Sequence, residues 1–77
     1  MLRKIPLAMI GPRWIRQIFR AQAARNGGIV RRQITSVHKY ASEAELKAAV
    51  QHRGFHMVIS GDQYVILCHQ GDFKVIC

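Results

Sequence analysis

The alternation of apolar and polar positions divides the chain into segments with different periods. At 100° per residue, Trp14, Ile15, Ile18 and Phe19 fall on one side of a helix, and Arg13, Arg16, Gln17, Arg20 and Ala24 fall on the other. Gly11-Pro12 before them is a turn signal with proline acceptable in a first helical turn, and Asn26-Gly27-Gly28 after them suits a left-handed cap. This pattern predicts a helix from Pro12 to Asn26. A second helix is predicted over "SEAELKAAVQHRG", residues 42–54. There Ser42 and Glu45 have the S-x-x-E spacing of a capping box, Leu46, Ala49 and Val50 share a face, and Gly54 is the stop.

Between the helices, "IVRRQITSVHKY" is rich in β-branched residues and predicts a strand from Ile29 to Lys39. Its alternation is imperfect, because Val30 and Ile34 share a face with Arg32 while Val37 falls on the other; a β-bulge would reconcile them. The runs "FHMVIS", "QYVILCH" and "FKVIC" are separated by Gly61-Asp62 and Gln70-Gly71-Asp72. Glycine at the first central position suits a type II′ turn, so the three runs predict an antiparallel meander. Residues 2–9 suggest one more short strand, confined by Pro6 to a sheet edge.

The expected fold is therefore α+β: two helices packed on one face of a mostly antiparallel sheet of four strands, five if residues 2–9 form one, in the order (β)-α-β-α-β-β-β. Residues 1–77 are read as a single small domain. With the first strand included, the first six elements resemble in their order, β-α-β-α-β-β, the archaeal chromatin proteins of the Alba type and the C-terminal domain of bacterial translation initiation factor three. The resemblance is one of arrangement, without a motif of either family. "RGFHMV" resembles part of the aromatic strand motif of RNA-recognition domains at Arg53, Gly54, Phe55 and Val58 and departs from it at His56 and Met57. It follows a helix rather than a strand, so Gly54 is read as a helix stop and Phe55 as core.

Charge changes the picture most. Residues 1–42 hold nine lysines and arginines and no acid, whereas residues 43–77 are nearly balanced, and the net charge is +8. One-signed surfaces cost stability through self-repulsion and draw in anionic partners. Arginine outnumbers lysine eight to four, which favours planar, forked recognition of phosphate. These features predict a small nucleic-acid-binding protein, RNA favoured over DNA, that contacts the phosphate backbone through Arg13, Arg16, Arg20, Arg25, Arg31, Arg32 and Lys39. The alternatives are an anionic membrane surface met by the amphipathic first helix, an acidic protein partner, and a homo-oligomer formed through the edge of a C-terminal strand, "FKVIC".

Other chemistries find less support. Cys68-His69, His52 and His56 lack the paired spacing of a zinc site, and no other metal or cofactor is expected. Of the four carboxylates, Glu43 and Glu45 lie near a helix N-terminus and Asp62 and Asp72 in turns, so no catalytic pair is expected and the chain is read as a non-enzyme. Tyr40, Phe55, Tyr64 and Phe73 are read as packing aromatics. The apolar run 5–10 is only six residues long and no small-x-small cleavage site follows it. Residues 1–20 are thus expected to belong to the fold rather than to a leader, with reduced cysteines and a cytoplasmic location.

Overall fold

The structure, a computed structural model, describes residues 7–77. In chain order its elements are α1 (Leu7–Arg20), α2 (Gln22–Arg25), β1 (Ile29–Gln33), α3 (Ile34–Tyr40), α4 (Glu43–His52), β2 (His56–Ser60) and β3 (Gln63–Leu67). The strands form one antiparallel sheet in the order β1-β3-β2. Val30 lies opposite Ile66 and Ile66 opposite Met57, so these three share a face, as do Arg32, Tyr64 and Ile59. That face is the covered one. Val30, Tyr64, Ile66 and Cys68 are buried in one cluster with Ile18, Ala24, Val37, Leu46 and Val50 from the helices. The opposite face carries Ile29, Arg31 and Val58, all exposed, with Val65 buried between Arg31 and Val58, and the α+β class is the one expected.

Two local devices form where predicted. The Ser42 Oγ accepts from the Glu45 backbone N–H at 3.1 Å, the N-terminal cap of α4, and donates to Glu45 Oε1 at 3.1 Å, so the carboxylate meets the Ser42 hydroxyl rather than its backbone N–H as in a full capping box. Ser60 pairs with Gln63 across a two-residue loop in which Gly61 has φ 62° and Asp62 has no positive φ, as a type II′ turn requires. Gly54, with φ 71°, ends α4, and Phe55 after it packs against the core.

The strand count and several boundaries differ from expectation. Residues 29–39 are not one strand: β1 stops at Gln33, where the Ile34 N–H donates to the Asp62 carbonyl at 2.9 Å, and α3 begins. The broken alternation marked a change of period rather than a bulge. Ile34 and Val37 both pack in the core at helical spacing, and α3 closes with the Ala41 N–H on the Val37 carbonyl at 2.7 Å. The segment 73–77 forms no strand, because β3 is the central strand with both edges already taken by β1 and β2, so a meander cannot continue from it. Val75 and Ile76 are 75% and 89% exposed instead. Of the proposed first strand, residues 2–6 lie outside the described residues, while 7–9 belong to α1.

The first helix also departs from its predicted limits. It starts before Pro12, which lies inside it, and it breaks at Ala21, whose φ of −58° and ψ of 145° are extended. Nothing in "FRAQAAR" signals the break, since alanine and glutamine are good helix formers. Its effect is to turn α2 so that Ala24, predicted on the outer stripe, is buried with Ile18 and Val30. The observed order, α-α-β-α-α-β-β over residues 7–67, is not the arrangement that suggested the Alba and initiation-factor comparison.

Leu46 is fully buried, so Leu46→Ala is expected to lower unfolding free energy by about 3 kcal/mol through lost contacts and a residual cavity. Ser42→Ala, removing the cap, is expected to cost about 1 kcal/mol. Urea unfolding of both variants against the unaltered chain measures the two values.

Candidate nucleic-acid interface

Burial of Ile15 (6% exposed) and Ile18 (2%) fixes the azimuth of α1, and with it the direction of the arginines. Arg13, Arg16, Gln17 and Arg20 border one hollow on the outer side of the helix. Arg20, Gln22, Arg25 and Asn26 border a second. Because Arg20 is common to both, Arg13, Arg16, Arg20 and Arg25 form an unbroken cationic stripe that crosses the α1–α2 break, and all four are exposed. Arg20 and Arg25 also sit in the last turns of their helices, where the backbone dipole favours a cation. Among the described residues, the side-chain hydrogen bonds made by arginines go to backbone carbonyls, Arg32 to Arg31 and Arg53 to Ala49, and none reaches a carboxylate. The guanidinium groups of the stripe are thus left for solvent or for an anionic ligand.

The remaining sequence-predicted residues do not join the stripe as a set. Arg31 and Arg32 are adjacent on β1 and point to opposite faces of the sheet, Arg31 to the open face and Arg32 to the helical one. Arg32 is half-buried and donates to the Arg31 carbonyl at 2.7 Å. Lys39 lies on α3, with its Nζ 5.3 Å from the centre of the Tyr40 ring. Tyr40 in turn stacks on Trp14 of α1, with centroids 5.5 Å apart and an interplanar angle of 25°. Lys39 is therefore linked to α1 through two aromatic rings.

A polar network that the sequence did not announce joins α3, α4 and β3. The buried Tyr64 hydroxyl donates to Glu43 Oε1 at 2.7 Å and lies 3.1 Å from His38 Nε2. Since the hydroxyl proton is committed to Glu43, the imidazole must donate, which sets Nε2 as its protonated nitrogen. The contact ties α3 and the start of α4 to the central strand. Its members are 21 and 26 residues apart, so no local pattern could reveal them. Burial first, then the Glu43 carboxylate, push the Tyr64 phenol above its ordinary value.

The cysteines and histidines assemble no metal site: among the described residues no group of three or more His, Cys, Asp or Glu is placed to hold an ion. Cys68 is buried, and burial raises its thiol pKa against the opposing effect of a backbone hydrogen bond from Val30. Cys77 is exposed and both thiols are free. Among the described residues no helix is long and apolar enough to cross a membrane. Comparison with protein-family models, with curated proteins and with solved structures finds no match for this chain.

The Tyr64 phenol is held neutral in the folded chain above the pH at which it ionises when unfolded. Its contribution to stability is complete below about pH 10, the unfolded value. That contribution disappears as pH rises through the higher folded value. Tyr64→Phe is expected to cost about 1 kcal/mol at neutral pH through two lost hydrogen bonds. The variant should also lose less stability than the unaltered chain on going from neutral to strongly alkaline solution. Thermal unfolding of both proteins over that pH range checks the difference, with Cys68 common to both.

Proposed function

We propose that the chain binds nucleic acid by its phosphate backbone, with Arg13, Arg16, Arg20 and Arg25 following successive phosphates. The observation that carries this reading is the continuity of the four side chains along α1 and α2 with no carboxylate hydrogen-bonded to them. Phosphate contacts of this kind position a ligand without reading its bases, so affinity without strong sequence preference is expected. RNA is favoured over DNA because the sequence offers no major-groove reading motif, while forked guanidinium groups suit irregular backbones and exposed bases. Arg31, Arg32 and Lys39 are secondary on this geometry. The two strand arginines diverge, and the lysine is engaged with Tyr40.

The membrane-surface reading is weaker, since Ile15 and Ile18, the side chains that an interfacial helix would insert, are in the core. The chain is proposed to act without catalysis, as a binding protein.

Titration against a mixed-sequence RNA oligomer at several salt concentrations tests the proposal. Four phosphate contacts predict that log K falls against log salt with a slope of about −3. Arg16→Ala with Arg20→Ala is expected to reduce that slope by about 1.5 while leaving the fold intact, since both side chains are exposed. Binding that is absent, or indifferent to salt, contradicts the proposal.

A further inference from the structure

β2 is an edge strand: it pairs with β3 alone, and its other side has no partner among the described residues. The two-residue turn makes Ser60 and Gln63 a hydrogen-bonded pair, so alternation along the ladder directs the backbone N–H and C=O groups of Met57 and Ile59 to the free side. A cleft of 480 Å³ runs along this side. One wall is α4, through Glu43, Lys47, Val50 and Gln51, and the other is the consecutive run 55–59. Tyr64 of the central strand lines it too, so the cleft opens along the free edge of β2 and reaches inward beneath α4 onto the covered face of the sheet. Ile59, 58% exposed, and Val58 are apolar and open to it. A trough between a helix and an unpaired strand edge has the form that takes an extended peptide as an added strand, main-chain bonds giving affinity and side-chain pockets giving choice.

The same chain carries a segment that fits. Residues 73–77, "FKVIC", are as long as the five-residue edge of β2, are apolar at four of five positions, and pair with no strand. Phe73 already lines one end of the cleft, against the His56 ring at 4.9 Å, and the Gly71 carbonyl is 2.6 Å from His56 Nε2. Beyond Phe73 the chain leaves the surface, with Val75 and Ile76 exposed. Within one molecule, a segment entering beside His56 would have to run in the same direction as β2, in the slightly weaker parallel pairing. From another molecule it can enter at the Ser60 end and pair antiparallel. We infer that the cleft between α4 and the free edge of β2 receives residues 73–77 of a second copy of this chain, given and received reciprocally.

The inference stands apart from the nucleic-acid reading, since none of the stripe arginines lines the cleft. Two variants at exposed positions test it by sedimentation analysis in high salt, with circular dichroism confirming the fold. Val75→Asp with Ile76→Asp spoils the donated segment and leaves the cleft; Ile59→Lys spoils the cleft and leaves the segment. The unaltered chain is expected to dimerise as its concentration rises, each variant alone to lose the dimer, and an equal mixture of the two to regain a weaker heterodimer through the one intact exchange. An unaltered chain that stays monomeric overturns the inference, including the case in which its own residues 75 and 76 gain hydrogen-exchange protection. So does a dimer that persists in both variants, or a mixture that stays monomeric.

Discussion

Ile18 is where α1, packed against α3 and α4, enters the core shared by the helices and the sheet, and its burial orients much of what the surface presents. A helix with a narrow apolar side has one azimuth at which that side is dry. With Ile15 and Ile18 inward, Arg13, Arg16 and Arg20 can only face out, and they do so together. The extended residue Ala21 then matters more than its size suggests. It redirects the chain so that Ala24 continues the core while Arg25 continues the stripe. Packing of apolar groups thus sets the geometry of the charge, and the self-repulsion of the arginines is held against that burial.

The strand order β1-β3-β2 is the second constraint. It places β3 in the centre, where Tyr64 and Ile66 are covered by helices on one side, and it leaves β1 and β2 as edges. α3 follows β1 without a loop and α4 packs on the same face beside β2, so the Tyr64 hydroxyl lies within reach of both. A buried phenol without partners would cost more than its hydrogen bonds return. The Glu43 and His38 contacts therefore also select how the two helices sit on the sheet. The edges are the complement of this arrangement, for whatever the helices leave unpaired is open to another strand.

What was legible in the sequence was what depends on neighbours in sequence. The Ser42–Glu45 cap, the Gly61 turn, the Gly54 stop and the two sides of α1 each rest on residues at most a few positions apart, and each is found. What was not legible depends on distant partners. The run 29–39 has the β-branched composition of a strand, and only the Asp62 carbonyl and the core around Val37 show where it becomes helix. The fate of 73–77 turns on which strand occupies the centre of the sheet, and hydrophobic pattern does not carry that information. Pro12 inside α1 lacks a donor and disfavours the preceding turn, so Gly11-Pro12 read locally as a boundary. Among the site residues, helical period placed Arg13, Arg16 and Arg20 on one side, and these three are exposed on α1; Arg25 falls off that period and comes beside Arg20 only through the break at Ala21, which the sequence did not signal. Arg31 and Arg32 were grouped by proximity in sequence alone, although adjacent strand residues face opposite ways.

The most direct measurement of the central claim, that packing of α1 assembles a phosphate-binding stripe, is a heteronuclear NMR titration with a short RNA. Amide shifts confined to residues 12–26, with the Arg13, Arg16, Arg20 and Arg25 side-chain signals moving together, are the predicted result. Shifts centred on the open face of the sheet, around Ile29, Val58 and Gln63, with α1 unaffected, would contradict it.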